Sequence, residues 1–225
     1  MYSPIPTLKK KLAKRWRLRN FTLFGKRILR QERTLPLDIR NIRKVALYVR
    51  QMDRIKDLEG AVVECGVWKG RSLFILASLA LQRKVWGFDT FAGFPSLSEH
   101  DIKEVAEKEN FRDTSKEMVG RFLSMNKVSV ELVEGPFEKT LPEWKARIGP
   151  IAFLHIDCDI YDSYKTCLSE LFDQVVPGGV MVFDEYKNPE ELKKWPGAAR
   201  AIDEFCASRG LTVIDGGGKG IVIKP

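Results

Sequence analysis

The stretch Ala61–Ser72, AVVECGVWKGRS, constrains this chain more than any other. An apolar run, Ala61-Val62-Val63, ends in an acid, Glu64. A turn punctuated by Gly66 and Gly70 follows, and Arg71-Ser72 opens a helical pattern carried by Leu73, Phe74, Leu76, Ala77, Leu79 and Ala80. Strand, glycine turn, helix is how an open α/β sheet builds a ligand site at the carboxyl ends of its strands. The glycines let backbone approach a ligand, and the helix start leaves N–H groups without intrahelical partners. The spacing is neither GxGxxG nor GxxxxGK[ST], which argues against a dinucleotide pyrophosphate and against a phosphate-cradling loop. An acid ending the strand suits a cationic ligand better than a polyphosphate. Taken alone, the stretch also fits an ordinary strand-to-helix connection.

The rest of the chain continues the alternation. Arg40–Ile55 has helix spacing and reads as a cover for the sheet. Lys84–Phe91 is a second strand holding Asp89, where an acid of a doubly wound fold can take the hydroxyls of a ribose; a capping Asp is the plainer alternative. Val128–Val133 is a third strand, with a short helix at Leu141–Ile148 after it. Ile151–Asp159 is the fourth, Tyr161–Val176 a helix stopped by Pro177-Gly178-Gly179, and Val180–Phe183 the fifth strand. Ala198–Ala207 is the next helix; Leu211–Ile214 and Gly220–Ile223 close the chain around a glycine turn. Such a pattern predicts an α/β, doubly wound, mostly parallel sheet with an antiparallel edge. Residues 94–125 interrupt the rhythm with a polar, charged segment, placed as a lid-like insertion at the carboxyl edge.

Charge divides the chain. The net charge is +8, yet residues 1–50 hold fifteen Lys or Arg against two acids, +13, so the remainder carries −5. Residues 1–35 therefore read as a basic amphipathic arm, expected to be helical, ahead of a domain at 36–225. For residues 8–30 three readings compete: peripheral contact with an acidic membrane surface, nucleic-acid binding, and packing on the body or on a second subunit. No recognised motif supports nucleic acid, and none is expected as partner; a homo-oligomer stays open. No apolar run reaches the ~18 residues of a membrane span, and the first residues lack the apolar core of a secretory signal. The four cysteines have no paired spacing, as in a reduced, cytoplasmic protein.

Acids end several of the strands: Glu64, Asp89, Asp157 with Asp159, and Asp184 with Glu185. Strand ends of a parallel sheet share one edge, so these carboxylates converge, and together they point to a cation. Asp157, Asp184 and Glu185 are hard oxygen donors of the kind Mg²⁺ or Ca²⁺ takes. His155 has no partner at metal-ligand spacing and reads as a satisfied core group. No GxSxG elbow is present, which argues against Ser-His-Asp hydrolysis.

The blocks VVECGVWKGRS, WGFDTFAGFP, VELVEGPFEKTLP, FLHIDCDIYDSY, GGVMVFDEY and WPGAARAIDEF, in that order over about residues 58–215, resemble the macrocin O-methyltransferase family. The resemblance implies the seven-stranded fold of S-adenosylmethionine-dependent methyltransferases and an O-methyltransferase of sugar hydroxyls. It implies that Glu64, Gly66, Gly70 and Ser72 line the methionine part of the cofactor. Asp89, with Thr90 beside it, would hold the ribose, and Gly135 and Phe137 would border the adenine. It implies Mg²⁺ on Asp157, Asp184 and Glu185, with Glu185 standing where relatives commonly have Asp. Asp157 is the first choice as proton acceptor and Asp159 the second; the Lys base of catechol-type relatives has no counterpart in Ile160-Tyr161-Asp162. The acceptor would be a hydroxyl of a small molecule or glycan precursor. A non-catalytic nucleotide-binding or membrane-associated scaffold on the same fold is the alternative, and an NAD(P) oxidoreductase is disfavoured by the missing GxGxxG.

Overall fold

The computed structural model describes residues 20–23, 26–29 and 39–225. The chain divides into two compact units, Met1–Pro36 and Leu37–Pro225. In the first, β1 (Asn20–Leu23) and β2 (Lys26–Leu29) pair antiparallel, with Asn20 opposite Leu29. This corrects the expectation of a helical arm over these residues. Phe21 and Leu23 alternate with polar neighbours and Gly25 separates the two runs, which is a hairpin pattern rather than a helical one. The remainder of residues 1–35 lies outside the described residues.

The second unit runs α1 (Ile39–Arg54), β3 (Ala61–Cys65), α2 (Arg71–Leu79), β4 (Val85–Asp89), α3 (Lys103–Lys108), α4 (Lys116–Met125), β5 (Glu131–Glu134), α5 (Phe137–Ile148), β6 (Ile151–Ile156), α6 (Tyr161–Leu171), β7 (Val175–Phe183), α7 (Pro189–Lys194), α8 (Pro196–Ser208), β8 (Ile214–Asp215) and β9 (Gly220–Ile223). One seven-stranded sheet has the order β5-β4-β3-β6-β7-β9-β8. Strands β3 to β7 are parallel, and β9 enters antiparallel between β7 and β8. Strand order reverses between β3 and β6, the switch point at which an open α/β sheet opens a crevice for a ligand.

Alternation along the strands gives the sheet two covered faces. Val63, Cys65, Phe88, Leu154, Ile156 and Phe183 pack with Tyr164 and Leu168 of α6 and Ile202 of α8 in one core. The other face carries Val62, Glu64, Phe153, His155 and Val182. There Tyr48 of α1 stands edge-on to Phe153, ring centroids 6.0 Å apart.

Two elements depart from their sequence patterns. The helix after β6 ends at Leu171, and β7 already starts at Val175. Val175 pairs with Ile151 and Val180 with Phe153, so Pro177-Gly178-Gly179 forms a bulge inside the strand, Gly178 taking φ +79°. Helix α5 begins at Phe137 and contains Pro142. As the sixth helical residue, Pro142 forgoes the bond that an N–H there would make to the Glu138 carbonyl.

Arg83, just before β4, closes the exit from α1. Its guanidinium donates to Gly60 O at 2.9 Å and to Ile55 O and Leu58 O at 2.6 Å each. Arg83→Met removes a charged donor from four carbonyls at once, Lys56 O at 3.3 Å being the fourth. The expected loss is about 2–4 kcal/mol, from hydrogen bonds to a charged group, or roughly 5–15 °C in Tm for a domain of this size. Thermal denaturation by circular dichroism reads it, and an unchanged Tm would show that water replaces the donor without cost.

Candidate active site

Strands β3, β6 and β7 end in register. Glu64 pairs with His155 and His155 with Val182; one residue on, Cys65 pairs with Ile156 and Ile156 with Phe183. The next residues, Gly66, Asp157 and Asp184, therefore form a row on the carboxyl edge. Backbone bonds extend the ladder to them: Asp157 N–H donates to Cys65 O at 2.8 Å and Asp184 N–H to Ile156 O at 3.1 Å. By the period of two, Glu64, His155, Asp157 and Asp184 belong to the face covered by α1, and Glu185 to the opposite one.

Helix α1 sends two side chains into the row. Lys44 Nζ is 3.0 Å from Asp184 Oδ1 and 3.6 Å from Asp157 Oδ2. Tyr48, one turn later, places its hydroxyl 3.0 Å from His155 Nε2, and Glu64 Oε1 is 2.8 Å from His155 Nδ1. His155 is thus fully buried and braced at both ring nitrogens. Burial opposes its charge, but the carboxylates of Asp184 and Glu64 prevail and raise the imidazole to about 9. Burial in turn pushes the Glu64 carboxyl up, against the His155 bond.

Asp184 is held by two ammoniums, and the His155 ring lies 3.7 Å from its Oδ1. Besides Lys44, the Lys219 ammonium pairs with Asp184 Oδ2 and donates to the Asp184 backbone carbonyl at 2.8 Å. Burial opposes the charge of Asp184, yet the Lys44 and Lys219 ammoniums hold its carboxyl well below the usual range. Asp184 Oδ1 is buried and meets its cations, Lys44 at 3.0 Å and the His155 ring at 3.7 Å, without hydrogen-bond alignment. Glu185 is 1% exposed, and its carboxyl bonds the Tyr164 hydroxyl of α6. Burial and the nearby Asp157 charge push it well up. Asp157, Asp184 and Glu185 each offer an oxygen within 4.8 Å of the others, as do the ligand atoms of Glu64, His155 and Asp157. Asp159 stands outside both sets. Its backbone is left-handed at φ +64°, and burial with the charges of Asp157 and Asp184 raises its proton affinity.

The glycine turn borders this row. At Gly66, φ is +92° and a Cβ would lie 1.8 Å from the Asp157 carbonyl oxygen, so only glycine lets the turn and the β6 end touch. Gly70 caps α2 in the left-handed conformation with no side-chain cap bond, leaving the first helical N–H groups open. Ser72 is buried in that first turn. Asp89 faces the turn: Oδ2 accepts from the Val67 and Trp68 N–H groups at 2.7 and 2.8 Å, and Oδ1 from Phe91 N–H at 2.6 Å. Three of the roughly four acceptor positions of a carboxylate are used, leaving one for a ligand hydroxyl. Thr90 Oγ1 instead donates to Gly93 O at 2.6 Å, within its own turn. Gly135 N–H donates to Asp89 O at 3.0 Å, and Phe137 is buried at the start of α5.

The inserted segment docks on the turn. Trp68 Nε1 donates to Asp113 Oδ1 at 2.8 Å, Lys69 pairs with Asp113, and Thr114 Oγ1 donates to Trp68 O at 2.6 Å. Trp68 sits at φ +45°, a conformation costly for an aromatic residue and held here by those contacts. The sequence pattern did not single out Lys44, Tyr48 or Lys219. Lys44 lies in a helix read as a cover for the sheet from its apolar positions alone, and Lys219 in a turn distant in sequence.

These residues fit two kinds of group. Glu64 Oε2 is buried without a donor, and the α2 start offers free N–H groups, which together suit the ammonium and carboxylate of an amino acid. Asp184 Oδ1, a hard donor among three carboxyl groups that meets the Lys44 ammonium at 3.0 Å, is of the kind a divalent cation takes.

The sheet order, the switch point and the acids beyond it define a class I methyltransferase fold. A solved structure described as CalS11, calicheamicin methyltransferase, is similar with a TM-score of 0.72 at 24% identity, over 83% of this chain and 80% of that one. The chain belongs to the macrocin O-methyltransferase (TylF) family, whose description matches residues 13–215. It is 30% identical over 164 residues to demethyldecarbamoylnovobiocin O-methyltransferase of Streptomyces niveus, 67% of this chain and 60% of that protein. It is 31% identical over 145 residues to the 8-demethyl-8-(2,3-dimethoxy-alpha-L-rhamnosyl)-tetracenomycin-C 4'-O-methyltransferase of Streptomyces olivaceus, 56% of this chain and 53% of that protein. The chain thus spans less than two thirds of the length of these relatives.

Proposed function

We propose that this protein is an S-adenosylmethionine- and Mg²⁺-dependent O-methyltransferase acting on a sugar hydroxyl of a glycosylated natural product or glycan precursor. The observation that carries the reading is the row Gly66, Asp157, Asp184, in which one backbone contact joins the glycine turn to the carboxyl cluster. Family membership supports the reaction type, and the rhamnosyl named for the Streptomyces olivaceus relative supports a sugar acceptor.

Glu64, Gly66, Gly70 and Ser72 hold the amino-acid end of the cofactor, Asp89 and Thr90 its ribose, and Gly135 and Phe137 its adenine. Asp157, Asp184 and Glu185 hold the cation. S-adenosylmethionine supplies an electrophilic methyl on a sulfonium, and Mg²⁺ supplies positive charge that favours a deprotonated acceptor oxygen. Asp157 and Asp159 stand ready to take the hydroxyl proton. The turn and the carboxyl row, fixed to each other by backbone, hold the two reactants in one geometry, and such alignment carries much of a bimolecular rate.

Residues 36–225 form the methyltransferase domain on this reading, with 94–125 as the acceptor-facing lid and residues 1–35 as a separate arm. Among the described residues no helix is long and apolar enough to cross a membrane. Peripheral contact of residues 8–30 with anionic surfaces and self-association are further proposals, supported by the charge and apolar content of that arm. A cytoplasmic setting is supported by four buried, unpaired cysteines.

Calorimetric titration with S-adenosylhomocysteine, with and without Mg²⁺, tests the reading. Micromolar binding is expected, and Asp89→Ala should weaken it about tenfold, the worth of one lost charged hydrogen bond. Absence of binding under every condition would move the protein to a non-catalytic scaffold on this fold.

A further inference from the structure

We infer that Lys44 is the built-in counter-cation of the carboxyl row, and that a divalent cation bound there expels its ammonium toward solvent. The inference rests on the cation site proposed above and adds to it a residue of α1. Two anions of the row, Asp157 and Asp184, face two ammoniums, Lys44 and Lys219. Charge at the row is therefore balanced by the chain's own side chains. An arriving divalent cation adds two positive charges within a few ångströms of both ammoniums, and one of them must yield.

Geometry picks out which. Lys219 is anchored twice, to the Asp184 carboxylate and to the Asp184 backbone carbonyl at 2.8 Å. Its own carbonyl accepts from Gly216 N–H at 2.8 Å, in the turn leading into β9. Lys44 has no backbone acceptor among the described residues. It meets Asp184 Oδ1 at 3.0 Å without hydrogen-bond alignment, and Asp157 only at 3.6 Å. Its side chain is 23% exposed and rides on a helix, so four methylenes can swing it outward without moving backbone. The oxygen that Lys44 faces, Asp184 Oδ1, has that ammonium at 3.0 Å as its nearest cation, so a metal that claims the oxygen takes the place of Lys44.

Per-site lysine labelling tests the displacement on the full chain. Reductive methylation is read by mass spectrometry with no metal and with saturating Mg²⁺. Modification of Lys44 is expected to rise at least fivefold with Mg²⁺ while Lys219 stays protected. In parallel, Mn²⁺ binding is measured by electron paramagnetic resonance for the wild type and for Lys44→Met. The variant should bind at least tenfold more tightly, since its site no longer holds a competing cation. If Mn²⁺ binds the wild type and Lys44 labelling does not change with Mg²⁺, the displacement is wrong and the cation site stands. If neither wild type nor variant binds Mn²⁺, the cation site itself fails, and the displacement with it.

Discussion

Asp184→Asn is expected to lower methyl transfer by about a thousandfold, the equivalent of roughly 4 kcal/mol of transition-state stabilisation. The affinity for S-adenosylhomocysteine should stay within about threefold, because none of the groups assigned to the cofactor touches this side chain; about 0.6 kcal/mol is the margin that allows. Two effects combine in the expected loss. The amide removes a negative oxygen from the set of three that lie within 4.8 Å, and with it much of the reason for a divalent cation to bind. It also leaves Lys44 and Lys219 beside a neutral group, where both ammoniums were balanced by the carboxylate. Unpairing a buried charge is costly on its own, by about 3–5 kcal/mol in fully desolvated cases, and less here because both lysines retain some exposure. The cofactor titration therefore doubles as the control for folding. A variant that binds S-adenosylhomocysteine normally and also transfers methyl groups at the wild-type rate would remove Asp184 from the reaction.

Gly66→Ala should be the most damaging single-methyl change in the described domain. Alanine at φ +92° is strained in any surroundings, and here the added carbon would sit 1.8 Å from a backbone oxygen, that of Asp157. Backbone cannot rotate away as a side-chain end can. Either the turn after β3 lifts off the end of β6, or the Asp157 loop shifts. The expected cost is about 4 kcal/mol or more, in the range that marks a forced backbone rearrangement. For a domain of this length that is roughly 8–16 °C in Tm. Cofactor affinity should fall with it, since the same displacement moves the turn. Gly210→Ala is the matched comparison: φ is also positive, at +64°, but nothing lies within 4 Å of the added carbon. Only the left-handed penalty of about 1 kcal/mol remains there. Thermal melts of the two variants separate backbone conformation from collision, and equal losses would contradict the contact.

Much of the body was legible because the parallel strands are buried on both faces and read as short apolar runs ending in acids. Glu64, Asp89, Asp157 and Asp184 could be placed near one edge from that rule alone, and the register of β3, β4, β6 and β7 sets Asp89, Asp157 and Asp184 level with Gly66, with Glu64 two residues before it. What stayed hidden has physical reasons. Val175–Gly179 reads as a helix end because proline and two glycines usually stop helices, whereas tertiary pairing with Ile151 draws them into a bulged strand. Pro189–Lys194 is a single short helix with no buried residue, so no apolar periodicity announces it. The hairpin at residues 20–29 was masked by a density of charge that resembles a basic helix. Lys44 and Tyr48 escaped because their partners, Asp184 and His155, lie more than a hundred residues away in the chain. Glu185 sits on the row's far side, bonded to Tyr164, a placement that strand parity foretells once the strand end is known.

The bracing of His155 by Tyr48 has a bearing on how this domain can be cut and recombined. The nucleotide-binding unit of an α/β protein is commonly taken to start at its first parallel strand, here Ala61. A chimera joined at that point would inherit the sheet, the glycine turn and every acid on the edge. It would leave behind the hydroxyl that steadies the buried imidazole and the ammonium that balances the aspartates. The exchangeable module therefore begins upstream of α1, whose Lys44 and Tyr48 belong to the floor of the carboxyl row.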